Sequence, residues 1–325
     1  MKQFLSCDWG TSSFRLRLID VSGFQIVAEE TDNIGIAATF ALWKQSGKPE
    51  EERRSFYLGI INKYIEKIES KTSSSLNGVQ LIISGMASST MGFVDIPYSE
   101  LPVGTDGMNI KTRAISSDGN FDHDVVVISG LRSDDDVVRG EETQLIGCID
   151  PSQGKIDDEL FIFPGTHSKH IFVSNDQIVD IKTYMTGEFF ELLSQKSILR
   201  LSVENNDVQS NPQASTSFKM GVNDAIDANL LNAAFKVRTN GLFNKLSNRE
   251  NYDYLSGLLI GTELKELNTS AIKKISLVGG SNLGEYYRCA LEELGLLSRM
   301  HEINATRADE AVVRGQYKIY KTIMK

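Results

Sequence analysis

The stretch Phe4-Leu5-Ser6-Cys7-Asp8-Trp9-Gly10-Thr11-Ser12-Ser13-Phe14-Arg15-Leu16-Arg17-Leu18 decides how the rest of the chain is read. An apolar run stops at an acid, a glycine and three hydroxyl residues follow, and a second apolar run begins. This pattern predicts a β-hairpin with a tight polar turn. Hydroxyls and open backbone N–H groups at such a turn can wrap a phosphate. Asp8, at the strand end, can hold the magnesium that accompanies nucleotide phosphates. Gly10 lets a phosphate approach the backbone, and Thr11, Ser12 and Ser13 can donate to it. Taken alone, the segment also fits an ordinary hydroxyl-rich hairpin.

Other segments extend the pattern. Glu159–Val173 repeats the plan of strand, Gly-Thr turn and strand, with Gly165, Thr166 and His167 at the turn. Ile275–Val278 reads as a strand running into Gly279, Gly280, Ser281 and Asn282, with a helical pattern after it. Between the hairpins lies Asp134–Gly147, acid-rich at its start and opening a short helix. His167 and His170 are three apart, but a strand points them to opposite faces and no third ligand is near in sequence, so zinc is rejected.

This order resembles the superfamily of sugar kinases, hexokinase and actin. The strings GMASSTMGF (85–93), RGEETQLIG (139–147), PGTHSK (164–169), MTGE (185–188), LSGLLIG (255–261) and VGGSNL (278–283) together resemble the 2-dehydro-3-deoxygalactonokinase family. The resemblance implies an α/β fold of two actin-like (ribonuclease H-like) domains, each a mixed sheet flanked by helices, with an interdomain cleft. It implies an enzyme: a phosphotransferase using ATP and Mg2+ to phosphorylate the 6-hydroxyl of 2-dehydro-3-deoxy-D-galactonate in galactonate catabolism. A kinase of a related sugar acid or ketose is the first alternative. A nucleotide switch of the actin or chaperone kind is the second.

The same resemblance suggests roles. Gly165, Thr166 and His167 form the second phosphate clasp, and Gly279, Gly280, Ser281 and Asn282 the adenosine loop. Arg15 stands where relatives place a basic residue near the transferred phosphate; it is equally a solvated strand residue. The base is expected just before or at the crossing helix, where Glu141 and Glu142 stand, with Glu141 preferred and Asp134, Asp135 and Asp136 competing. A sugar-acid carboxylate suits a planar guanidinium, so Arg139 is the first choice and Arg132 the second. Ser88 and Ser89 suit sugar hydroxyls, or simply a hydroxyl-rich turn.

A chain of 325 residues accommodates two domains, placed here at 1–150 and 151–325. The formal net charge is −9 with no run of basic residues, so nothing calls for nucleic acid. No apolar run is long enough for a membrane span. Cys7, Cys148 and Cys289 are odd in number and far apart, as expected of reduced core thiols in a cytoplasmic protein, and no secretory leader is recognised. Small-molecule sugar acid and ATP are the expected partners; a homo-oligomer is left open.

Strands are predicted near 4–8, 14–19, 25–29, 79–84 and 124–129, then near 160–164, 170–174, 177–182 and 275–279. Tyr57, Ile60, Ile61, Tyr64, Ile65 and Ile68 recur at spacings of three and four, predicting an amphipathic helix over 50–70. Further helices are predicted at 187–196, 218–237, 251–268, 284–295 and 308–322. The polar stretch 203–216 reads as an exposed loop, with a lid role as the alternative.

Overall fold

The N-terminal hairpin forms as its pattern predicts. In a computed structural model describing residues 1–150, 152, 154–204, 212–213, 215–279, 282–303 and 305–324, β1 (Gln3–Trp9) pairs antiparallel with β2 (Phe14–Asp20), Asp8 opposite Arg15. The strand β3 (Gln25–Asp32) completes the meander. Two helices follow, α1 (Ile36–Gln45) and α2 (Arg53–Thr72). On α2, the announced positions Tyr57, Ile61, Tyr64, Ile65 and Ile68 are buried and Ile60 is partly buried, with Leu58 buried beside them. Then come β4 (Leu81–Gly85), β5 (Ser99–Glu100), β6 (Val103–Gly104), β7 (Thr112–Ile115), β8 (Val125–Ile128), β9 (Leu131–Arg132), β10 (Val137–Val138) and α3 (Glu141–Cys148).

A second set begins with β11 (Glu159–Phe163), β12 (Ser168–Ser174) and β13 (Gln177–Tyr184). It continues through α4 (Thr186–Glu191), α5 (Thr216–Asp227), α6 (Leu230–Leu242) and α7 (Asn248–Leu264). It ends with β14 (Lys274–Val278), α8 (Asn282–Glu293), β15 (Met300–Ile303) and α9 (Ala305–Ile323). The first large sheet has the order β3-β2-β1-β4-β8-β7; the second contains β15-β14-β11-β12-β13. Both use one plan: a three-strand antiparallel meander whose first strand is flanked by two successive parallel strands. In each, the carboxyl ends of neighbouring parallel strands lie together, the edge where open α/β sheets bind ligands.

The chain forms two compact units: unit 1 is Met1–Lys155, Asp176–Ile181 and Arg307–Lys325; unit 2 is Ile156–Asn175 and Lys182–Thr306. The expected cut at 150/151 therefore misses the return of most of α9 to unit 1. Close backbone packing explains the return. A β-carbon on Gly315 would stand 1.8 Å from the Thr143 carbonyl oxygen, and one on Gly147 would stand 1.7 Å from that of Ala311. Only glycine permits so close a crossing of α3 and α9. Gln316, fully buried, donates from Nε2 to the Cys7 carbonyl at 2.8 Å and to Ser84 Oγ at 2.9 Å.

The helix expected over 218–237 is two helices. Asn229, at the N-cap of α6, accepts the Leu231 N–H at 3.0 Å, and Ala228 is extended. The 187–196 stretch is α4 continued by a π-helical turn at Leu192–Lys196. Most of loop 203–216, residues 205–211 and 214, lies outside the described residues. No helix among the described residues is long and apolar enough to cross a membrane.

Candidate active site

Unit 1 brings Asp8, Gly85 and Gly140 together. Asp8 lies beside Ser84 across the parallel β1–β4 pair. Gly85 has φ +86° and Gly140 φ +115°, conformations that favour glycine. A β-carbon on Gly85 would stand 2.8 Å from the Trp9 carbonyl oxygen and 3.4 Å from Asp8 Oδ1. One on Gly140 would stand 3.6 Å from Gly85 Cα. Two bare backbones thus let the start of α3 approach the end of β1. Glu141, the first residue of α3, comes within electrostatic reach of Asp8. Burial pushes the Asp8 carboxyl up from its ordinary range and Glu141 adds to the rise, while Arg15 and Arg17 pull it down.

Glu141 and Glu142 part company here. Glu142 is fully buried; its carboxylate accepts the Gly140 N–H at 2.6 Å and the Thr143 hydroxyl at 2.9 Å. Burial, then the Glu141 charge, pushes Glu142 up to about 7. Glu141 is half-buried and accepts the Arg139 N–H at 3.3 Å. Asp134, Asp135 and Asp136 occupy the turn between β9 and β10, with Asp134 and Asp135 exposed.

Arg139 stacks on Tyr98, its Cζ 4.2 Å from the ring centroid. One terminal nitrogen donates to the Ser88 carbonyl at 2.5 Å and to the Ser88 hydroxyl. Its Nε is buried and makes no hydrogen bond among the described residues. Ser88 is fully buried and Ser89 donates to the Met86 carbonyl at 2.7 Å, so both hydroxyls are engaged within unit 1. Arg132 is exposed on β9.

The Gly10–Ser13 turn is built against α1. Ile36 and Ala37 donate their N–H groups to the Gly10 and Thr11 carbonyls at 2.9 and 3.1 Å. Thr11, Ser12 and Ser13 are exposed. Arg15 is half-buried, 4.0 Å from Glu29, while Arg17 is buried against the same acid.

In unit 2, β11 and β14 run parallel, Ile162 beside Leu277, so the Gly165 turn and Gly279 leave the same sheet edge. A β-carbon on Gly279 would lie 3.8 Å from Pro164 Cδ. Gly280 and Ser281 lie outside the described residues, as does the side chain of Asn282, whose backbone opens α8. Thr166 and His167 are exposed; His167 pairs with Glu188, and Glu188 N–H meets the Thr166 carbonyl at 3.0 Å. Beside this turn lies a cavity of about 130 Å³ whose lining includes Gly165, Thr186, Phe190, Tyr252, Tyr286 and Tyr287.

Behind it is a residue the sequence reading did not single out. Glu263 on α7 is 3% exposed. Its Oε1 accepts from Ser168 Oγ at 2.7 Å and faces His170 Nε2 at 2.9 Å. Its Oε2 accepts from Tyr287 OH at 2.7 Å and from the Thr186 hydroxyl. Burial pushes this carboxyl up, but His170, Thr186 and Ser168 overcome it and hold it below its ordinary value. The available signal was an acid inside the apolar run Leu255–Leu264, because a buried carboxylate must find partners. His170 is thereby a buried partner of an acid.

A model of the 2-keto-3-deoxy-galactonokinase family matches residues 8–319. The chain belongs to the 2-keto-3-deoxy-galactonokinase family. It is 30% identical over 323 residues to a 2-dehydro-3-deoxygalactonokinase of Rhizobium meliloti (strain 1021), covering 96% of this chain and 94% of the relative. It is 28% identical over 242 residues to the 2-dehydro-3-deoxygalactonokinase of Escherichia coli (strain K12), covering 72% of this chain and 76% of that one. A crystal structure of a 2-dehydro-3-deoxygalactonokinase protein from Sinorhizobium meliloti superposes with a TM-score of 0.79 at 29% identity, covering 98% and 96% of the two chains. Component A of the Acidaminococcus fermentans (R)-2-hydroxyglutaryl-CoA dehydratase shares the fold, with a TM-score of 0.51 at 14% identity over 100% of both chains. Membership makes this galactonokinase-family chain a phosphotransferase of the sugar-kinase class. The family match begins at Asp8 and takes in the Gly10–Ser13 turn, the second hairpin and α3, so Asp8, the Gly165 turn and Glu141 all fall within it.

Proposed function

We propose that this chain transfers the γ-phosphate of ATP to the 6-hydroxyl of 2-dehydro-3-deoxy-D-galactonate in galactonate catabolism, in the cytoplasm. One observation carries the reading: in a chain of this kinase family, α3 delivers Glu141 to the carboxyl end of β1, within reach of Asp8. Glu141 accepts the proton of the attacking hydroxyl. The oxygen–phosphorus bond forms, the bond to the β,γ-bridging oxygen breaks, and ADP leaves. Phosphoryl transfer needs positioning and charge stabilisation more than covalent help from the protein, and one half-buried carboxylate at a helix start supplies the base.

Asp8 fits a magnesium site. Two oxygen-donor carboxylates repel one another here, a situation that a hard divalent cation relieves. Magnesium commonly keeps several waters and is bound through one or two carboxylates together with substrate phosphates. When bound, magnesium neutralises phosphate charge; Asp8 would hold it directly or through water. Thr11, Ser12 and Ser13 donate to phosphate oxygens, and Arg15 stands opposite Asp8 on the neighbouring strand. Gly165, Thr166 and His167 form the second clasp. The aromatic cavity beside that clasp takes the base of the nucleotide, with Gly279, Gly280, Ser281 and Asn282 as the adenosine loop. Arg139 keeps Nε for the sugar-acid carboxylate while Ser88 anchors its other end; Ser89 completes that loop.

The test is a coupled assay of ADP release with galactonate- and gluconate-derived keto-deoxy acids and with ketoses. The proposal expects the highest kcat/KM for 2-dehydro-3-deoxy-D-galactonate. Equal ADP release with and without any acceptor would favour the nucleotide-switch alternative.

A further inference from the structure

We infer that Glu263 is a positioning residue for nucleotide binding: its carboxylate ties the strand leaving the Gly165 turn, the start of α4 and the helix α8 into one wall. The inference rests on the ATP reading given above. Four donors converge on this carboxylate from three elements, Ser168 and His170 from β12, Thr186 from α4 and Tyr287 from α8. An ionised carboxylate is an acceptor with about four lone-pair sites, so the four donors fill its capacity. Two of them, Thr186 and Tyr287, also line the cavity beside the Gly165 turn. Ser168 follows directly on the exposed Thr166-His167 pair. The tie thus fixes the turn and the cavity wall relative to each other, although Glu263 is itself buried.

Two close approaches support that geometry. A β-carbon on Gly187 would stand 2.7 Å from both the Gly165 carbonyl oxygen and Thr166 Cα, so the start of α4 rests on the turn itself. One on Gly257 would stand 2.0 Å from the Phe218 carbonyl oxygen, so α7 is seated against α5 backbone to backbone. The carboxylate is presented from α7, a helix seated on α5 through bare backbone.

Glu263→Gln is the informative change. An amide oxygen can still accept from Ser168 and His170, and the amide N–H groups can donate to the Thr186 and Tyr287 oxygens. The variant keeps shape while losing the charge and two acceptor sites. Isothermal titration with ADP, which needs no acceptor, should show Kd raised roughly tenfold or more, as loss of charge-assisted bonds implies. KM for ATP should rise with it while KM for the sugar acid stays unchanged. A folded Glu263→Gln protein that binds ADP like the wild type, or whose two KM values rise together, overturns the inference. Should Glu263→Gln fail to fold, Tyr287→Phe and Thr186→Val each remove one donor and carry the same expectation; unchanged ADP binding in both overturns it. A wild-type protein that binds no ADP overturns the ATP reading, and this inference with it.

Discussion

Glu142 turns its carboxylate back onto the N–H of Gly140, 2.6 Å away, and so closes the N-terminus of the helix that Glu141 begins. Adjacent acids therefore have different surroundings: the buried Glu142 holds the helix start, and Glu141 is half-buried and accepts the Arg139 N–H.

That separation makes the base assignment testable. Glu141→Gln should lower kcat by about 10²–10⁴-fold, the usual cost of removing a general base, with ADP binding kept. Glu142→Gln should retain most of the turnover. Rates from a coupled assay of both variants decide; the reverse pattern would move the base by one residue.

Glu142 also predicts a pH dependence of stability. Its folded value of about 7 lies above the ordinary 4.5, so between those values the folded state holds the proton more tightly than the unfolded chain. Stability then falls as pH rises from about 4.5 to about 7 and levels off above. The shift corresponds to roughly 3 kcal/mol. Urea unfolding of Glu142→Gln should lack this decline; parallel curves for wild type and variant would show that Glu142 does not cause it.

Asp8→Asn should cut kcat roughly 10²-fold or more, a size typical of lost electrostatic stabilisation, and raise the magnesium needed for half-maximal rate. Folding should not suffer, because the change removes a charge that burial and Glu141 already disfavour. Magnesium titrations of kcat beside melting curves check both parts. Full turnover at low magnesium would take Asp8 out of the metal site.

Arg139→Lys should raise KM for the sugar acid roughly ten- to a hundredfold, the worth of a charge-assisted bond, and leave KM for ATP unchanged. Lysine can copy neither the planar stack on Tyr98 nor the paired contacts to Ser88. A variant that loses thermal stability but keeps its KM for the acid would make Arg139 a brace for the Ser88 loop alone.

Much of this was legible in the sequence. Both hairpins and α2 announced themselves because alternation, Gly-Thr turns and three-and-four spacing are local signals. The acids at 141 and 142 are legible together, but their different surroundings are not, because these depend on which carboxylate reaches back to Gly140. Arg139 was marked as a cation near the acids; its stack on Tyr98, forty-one residues earlier, is tertiary. The return of α9 to unit 1 rests on glycines crossing carbonyls far away in sequence, and no periodicity records that. Glu263 was hidden for the same reason: its four donors come from residues 168, 170, 186 and 287.

The measurement closest to the central claim is phosphorus NMR of the purified protein with ATP, magnesium and 2-dehydro-3-deoxy-D-galactonate. The account predicts one new phosphomonoester on the carbon-6 oxygen, formed in step with ADP and absent when the sugar acid is left out. ADP formed in step with inorganic phosphate whether or not the acid is present, or a phosphate on another hydroxyl, would contradict it.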